Sequence, residues 1–225
     1  MEGCGVRALI GCEFSGVVRR ALRARGVDAW SCDMLPAADG SPHHIQGDVL
    51  EQLGKGWDIG IFHPPCTYLC SSGLHWNVRR PERAMLTEQA ERFALALWNA
   101  PIGKVVVENP IGRLSKTMGE PTQIIQPWQF GADASKATCL WLRGLPPLAP
   151  TAYVPPRVVL HNGKFVMRWA NQTDSGQNNL PPSHDRRALR SETYPGIADA
   201  MAQQWVPWLL EIDAIRTGSK GESNG

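Results

Sequence analysis

Short, mostly apolar runs of strand length alternate with helix-period segments through the first half of the chain. Residues 6–11 form the first such run, followed by a turn at 12–16 and an amphipathic stretch to about Arg25. Residues 27–32 predict a second strand ending at Asp33, and 44–47 a weaker third ending at Asp48. Residues 57–62 predict a fourth strand, stopped by Pro64-Pro65. From Pro81 to Trp98 the period becomes helical, with Ala84, Ala90, Phe93, Ala94 and Leu97 on one face. Residues 104–107 predict a fifth strand, stopped at Asn109-Pro110.

The pattern then changes. Residues 122–126 and 138–142 are two strand-like runs with no helix between them, and they read as an antiparallel pair at the sheet edge. Residues 145–183 are rich in proline and polar side chains, with one hairpin expected around Asn162-Gly163. Residues 197–212 predict a final helix, which Pro207 can kink. The βαβ rhythm implies an α/β fold, a doubly wound, mostly parallel sheet with an antiparallel last hairpin. The expected division is a catalytic and cofactor-binding domain over 1–144 and a short recognition-like insertion over 145–185. A helix over 186–215 completes the first domain, and a disordered tail occupies 216–225.

In such a sheet, ligands bind beyond the carboxyl ends of the strands. The residues there are the 12–16 loop, Asp33, Asp48, the 63–66 turn and the 108–110 turn. Composition narrows the classes. With 23 Lys+Arg against 21 Asp+Glu the net charge is +2, which excludes a polycation or an acidic tail protein but permits a local basic face. No run approaches a membrane span and no signal-peptide layout opens the chain, so a cytoplasmic setting with reduced thiols is expected. The six cysteines lack paired CxxC spacing. Nine Trp outnumber five Phe and three Tyr together.

His63-Pro64-Pro65-Cys66 is the sharpest local signal. Two prolines end the strand and hold the thiol on a stiff turn, where a nucleophile benefits from fixed placement. Such a thiol needs a lowered pKa or a nearby proton acceptor. Glu108 follows a buried run and is expensive there unless it has a partner or a role. A thiol beside an acid fits covalent attack on a ring whose nitrogen takes a proton. The first loop offers glycine and a helix start with free N–H groups. Asp33 and Asp48 suit hydroxyl recognition, or serve as turn and helix caps. His63, Cys66, Cys70 and His75 also lie close in sequence, but their spacing matches no common zinc site, and no metal is expected.

The PPC at 64–66, the ENP at 108–110, the 12–16 loop and the two aspartates occur in an order that resembles the DNA (cytosine-5) methyltransferases, in particular small phage- or prophage-encoded members. The resemblance covers roughly 6–143 and the C-terminal helix. It implies that Cys66 adds to C6 of a cytosine flipped out of DNA, that Glu108 bonds the N3/N4 edge, and that S-adenosylmethionine is the cofactor. It assigns Cys12, Glu13, Phe14, Ser15, Gly16, Asp33, Asp48 and Pro64 to the cofactor. Pro65 and Asn109 fall on the substrate side. Trp76, Arg79 and Arg80 lie in the segment that in the family is a mobile loop closing over DNA, and Arg186 in a basic cluster with Arg187 and Arg190.

The chain departs from the family in three places. Its first loop is CEFSG, and Ser135-Lys136-Ala137-Thr138 stands where the family has Gln-x-Arg-x-Arg, putting Lys136 in place of a base- or phosphate-contacting arginine and in the expected catalytic set with Cys66 and Glu108. Only about forty residues occupy the target-recognition region. DNA is the expected partner and no membrane is. Three other readings stay open: an amino-methyltransferase, because HPPC is similar to the [DNS]-P-P-aromatic loop; transfer of another one-carbon group or action on a free nucleotide; and a catalytically idle DNA-binding protein on the same scaffold. Trp76, Trp128 and Trp169 are the tryptophans expected to touch DNA; Trp30, Trp57, Trp98 and Trp141 are expected to pack.

Overall fold

The computed structural model describes residues 5–180 and 192–218. Seven strands form one sheet: β1 (Arg7–Gly11), β2 (Asp28–Asp33), β3 (His44–Gln46), β4 (Ile59–Phe62), β5 (Lys104–Pro110), β6 (Gln123–Ile125) and β7 (Thr138–Arg143). Their order is β3-β2-β1-β4-β5-β7-β6. The pairs from β3 to β5 are all parallel, and β7 runs antiparallel between β5 and β6. The fold is therefore an α/β doubly wound, mostly parallel sheet with an antiparallel last pair. β8 (Arg157–His161) and β9 (Lys164–Arg168) form a separate hairpin, turned by Asn162 and Gly163 at φ 50° and 73°.

Central strands buried on both faces explain the unbroken apolar runs. Ala8, Ile10, Ile59, Ile61 and Val106 face one layer, against α1 (Val17–Arg23) and the C-terminal helix. Leu9, Phe62, Val105 and Val107 face the other, against Ala94 and Leu97 of a helix over Pro81–Trp98. That helix is α3; α2 is the single turn Ser71–Leu74, α4 is Leu114–Met118, and α5 is the C-terminal helix Pro195–Gly218. Pro207 lies within α5. Among the described residues no helix is long and apolar enough to cross a membrane.

Several expectations need correction. β5 does not stop before Asn109: its antiparallel neighbour pairs Glu108 with Leu140, Asn109 with Cys139 and Pro110 with Thr138, so the proline takes the terminal rung. α4 was not expected. Residues 66–78 are not an open loop but three short helical turns, Cys66–Tyr68, Ser71–Leu74 and His75–Val78. α5 extends through 218, past the start of the expected tail; 219–225 lie outside the described residues. So do Arg186, Arg187 and Arg190.

Arg19 of α1 is 1% exposed. Its guanidinium donates to Ser31 Oγ at 2.8 Å and to Asp39, which also accepts from Arg20 at 2.7 Å. Burial works against ionising Asp39, but the hydrogen bonds from Arg19, Arg20 and the Ser41 N–H outweigh it and hold the carboxyl at about 2. Removing one partner of a buried pair costs about 3–5 kcal/mol. Asp39 is 28% exposed, so Asp39→Asn should lose roughly the lower figure in urea unfolding. The depressed pKa adds stability that is full above 3.8 and disappears as pH falls through about 2. The variant should lack that acid-dependent component.

Candidate active site

β4 and β5 run parallel in a register that pairs Phe62 with Val107. The next residues along, His63 and Glu108, therefore meet, with His63 Nδ1 2.7 Å from Glu108 Oε2. Their side chains are 9% and 12% exposed. Burial disfavours the Glu108 carboxylate, but the hydrogen bond and charge of His63, with the charge of Lys136, outweigh it and hold the pKa below its usual range. Burial likewise opposes an imidazolium at His63. The bond to Glu108, its charge and that of Glu13 outweigh this and raise the imidazole pKa. Both shifts favour the ion-pair form, a carboxylate accepting from Nδ1–H of an imidazolium. His63 Nε2 is buried without a hydrogen-bond partner among the described residues.

The same strand ends hold the Pro-Pro-Cys turn. The Asn109 amide, 2% exposed, donates to the Pro64 carbonyl at 2.7 Å. Pro65 is exposed and leads into the helical turn that Cys66 begins. On the far side the Arg113 N–H donates to the Leu69 carbonyl at 2.7 Å, and the Ser71 N–H to Ile111 at 3.2 Å. The half-buried Cys66 thiol is pushed above its ordinary value, first by burial, then by Cys70 and Glu108, with Lys136 opposing. A preformed thiolate is therefore not what the turn holds at neutral pH. The Lys136 backbone donates to Gln126 Oε1 at 2.9 Å, and its ammonium lies 6.0 Å from the centre of the Tyr194 ring.

The opposite wall of the crevice comes from β1 and β2. The His63 N–H donates to the Gly11 carbonyl at 3.0 Å, tying the two strand ends. Cys12 is left-handed, at φ 60°, and donates to the Cys32 carbonyl. Glu13 is 5% exposed and turns inward, accepting from Val18 N–H at 2.6 Å and Arg19 N–H at 3.3 Å. Two of the N–H groups expected to be free at the start of α1 are thus taken by the chain itself. The Phe14 carbonyl accepts from Ala38, the Ser15 carbonyl from Arg20, and Gly16 is left-handed at φ 69°. Asp33 Oδ1 accepts from Leu35 N–H and Asp48 Oδ1 from Leu50 N–H, each at 2.9 Å. Both serve as turn caps, and Oδ2 of each has no hydrogen bond among the described residues. Two unengaged carboxylate oxygens at adjoining strand ends are acceptors that suit ribose hydroxyls and an exocyclic amine, so the donor set fits a nucleoside cofactor.

Further out, Trp76 is 39% exposed, with the Arg80 and Arg79 guanidiniums 5.0 and 5.9 Å from its ring centre. Trp128 and Trp169 are not separate surface probes: they stack on each other at 5.4 Å. With Tyr153, Val154, Pro155, Pro156 and Met167 they line an apolar cleft of ≈ 420 Å³ beside the β8–β9 hairpin. Trp57 and Trp141 are buried in the core and Trp30 and Trp98 pack against it. The pairing of His63 with Glu108 and the inward role of Glu13 escaped the sequence reading. The signal for His63 was present, since parallel neighbours that both end at proline set their last residues side by side.

No protein-family model matches the chain, and no curated protein does. Among solved structures, it is similar to a prophage-encoded E. coli protein named as a DNA modification methyltransferase, at 13% identity and a TM-score of 0.41, over 61% of this chain and 46% of that one. It is also similar to a mutant of Spodoptera frugiperda DNMT2, at 16% identity and a TM-score of 0.37, over 62% of this chain and 50% of that one. The chain spans about half the length of each of these structures.

A side chain at Gly112 would place Cβ 2.0 Å from the Leu69 carbonyl oxygen and 2.9 Å from Cys70 Cα. Both are backbone atoms of the turn that carries Cys66, so Gly112→Ala must displace it. The expected cost is about 1–3 kcal/mol, with a melting temperature lowered by roughly 2–4 °C per kcal/mol. Cys66 should also react faster with a thiol reagent, read by mass spectrometry of the labelled peptide.

Proposed function

We propose that the protein methylates C5 of cytosine in DNA, using S-adenosylmethionine and a covalent bond from Cys66 to the base. The observation that carries this reading is the convergence of the Cys66 turn and the Glu108 carboxylate at adjoining strand ends, fixed to each other by Asn109 and His63. Cys66 Sγ adds to C6 of the base, and the C5–C6 π electrons move to C5, which becomes the nucleophile. Glu108 holds the N3/N4 edge, where negative charge develops. Asp33 and Asp48 would hold the cofactor's ribose and adenine, with Cys12, Phe14, Ser15 and Gly16 against its remaining length and Pro64 at its reactive end. The cofactor supplies an electrophilic methyl group.

The base must leave its stack to reach a thiol set behind a rigid turn. Trp76 with Arg79 and Arg80 supplies a stacking face and phosphate contacts, with Pro65 and Lys136 nearer the base. The β8–β9 hairpin, which carries Arg157, Lys164 and Arg168 and borders the aromatic cleft, acts as a small reading surface. Residues 1–144 and α5 form the catalytic unit in this reading.

Cys66→Ala should bind S-adenosylmethionine like the wild type in calorimetry. It should transfer no methyl group to DNA and trap no complex with DNA containing 5-fluorocytosine. Nucleoside mass spectrometry should place the wild-type methyl on C5. A methyl on an exocyclic nitrogen, or normal transfer by Cys66→Ala, contradicts the mechanism.

A further inference from the structure

A carboxylate that already accepts a hydrogen bond from an imidazolium has no proton to give. Addition of Cys66 to a cytosine nevertheless places negative charge on the N3 side of the ring, and that charge is relieved by a proton at N3. Within the His63–Glu108 pair the transferable proton lies on Nδ1, 2.7 Å from Oε2.

We propose that His63 is the positioning residue and proton reservoir of this site: it orients Glu108 and returns, through Oε2, the proton that Glu108 passes to the base. This deepens the C5-methylation reading and rests on it. The step balances. The Cys66 thiol first gives its proton to solvent. The bond from Sγ to C6 then forms, the C5–C6 π bond breaks, and the Nδ1 proton moves through Glu108 Oε2 to N3. The base gains one proton and the pair loses one, leaving neutral imidazole beside the Glu108 carboxylate. The N3 proton returns to the pair when the adduct breaks down and the base regains its ring double bond.

The surroundings suit this task. Glu13, from the loop after β1, adds a second negative charge that favours the imidazolium. The Lys136 charge, from the segment before β7, favours the Glu108 carboxylate and opposes the imidazolium. Cys66 follows on the same turn, and burial, then Cys70 and Glu108, push its thiol pKa up. The pair is almost closed to water, so its proton exchanges with the base rather than with solvent. Among the described residues Nε2 is buried without a hydrogen-bond partner, so Glu108 is the one group that holds the ring by a hydrogen bond from its nitrogens.

The pH dependence separates this role from simple support. Adduct formation needs Cys66 deprotonated and His63 protonated. Both pKa values are raised, His63 above 6.5 and Cys66 above 9.0. The wild-type rate should climb with pH until the imidazolium begins to lose its proton, then level off, because thiolate gained is matched by imidazolium lost. His63→Gln keeps an N–H donor for Oε2 but has no proton to transfer. Its adduct rate should be lower by about 10²–10⁴-fold and should keep rising through the range in which the wild type is level.

The test is single-turnover trapping on 5-fluorocytosine DNA across pH for wild type and His63→Gln, with ¹⁵N NMR of the imidazole in the protein alone. The wild type should show His63 doubly protonated at pH 7, and Glu108→Gln should lower its pKa. Parallel pH profiles for the two proteins, or a neutral imidazole at pH 7, overturn the proposal. If the wild type modifies no DNA, the C5 reading fails instead, and the NMR arm still reports on the pair.

Discussion

Phe62 pairs with Val107 in parallel, and that one register decides which side chains meet beyond the sheet. Both strands are unbroken apolar runs buried on two faces, so a shift by one residue would carry Ile61, Phe62, Val106 and Val107 to the wrong layers. The register is therefore held by the whole core. Once it is set, His63 and Glu108 fall side by side, and Asn109 reaches the Pro64 carbonyl. The geometry of the candidate site inherits its precision from hydrophobic packing some distance away. The Gly112 crossing then clamps the other end of the Cys66 turn, which is why a short segment of helical turns stays in one place without a long element to carry it.

Charge inside this frame is organised as compensated sets. Glu13 caps α1, Arg19 joins Ser31 and Asp39, and His63 joins Glu108. Each places an ionisable group where burial alone would neutralise it, and each provides the hydrogen bonds that keep the charged form or its partner satisfied. Glu13 also shows the limit of such compensation. Its pKa is raised because burial outweighs His63, Arg19 and two backbone N–H groups together. Glu13 and Glu108 flank the same imidazole, yet burial dominates one and its partner's hydrogen bond dominates the other. Two nearby carboxyls are thereby driven in opposite directions.

The central strands, α3 and the Asn162-Gly163 turn were legible in the sequence because local chemistry decides them: apolar runs, a proline start, and two residues that tolerate left-handed backbone. The length of β5 was not, because β7, nearly thirty residues later, supplies the partner that carries it through Pro110. Glu13 was read as a ligand-facing loop residue. Its side chain instead reaches a helix start five residues on, and only the left-handed turn at Cys12 makes that reach possible. The burial of Arg19 has no local signal, because its partners Ser31 and Asp39 come from β2 and the chain after it. Within the site, Cys66 and Glu108 stood out from their sequence neighbours. The bond that couples Glu108 to His63 required the strand order, which no local pattern contains.

A thiol held protonated in its resting turn changes how nucleophilic attack must be arranged. With Cys70 and Glu108 adding to burial, Cys66 is a weak nucleophile and a poor target for oxidants until something enters the crevice. Activation then belongs to the complex. In the proposed reaction an incoming base would displace water, bring a C6 atom that accepts the sulfur's electrons, and take up a proton that keeps negative charge from building up beside Glu108. The thiol rests in the neutral form that burial favours, whereas the imidazolium is held against burial by Glu108. In the proposed reaction the charge that the adduct places on the base is met by proton movement, for which the 2.7 Å contact between His63 Nδ1 and Glu108 Oε2 offers a path.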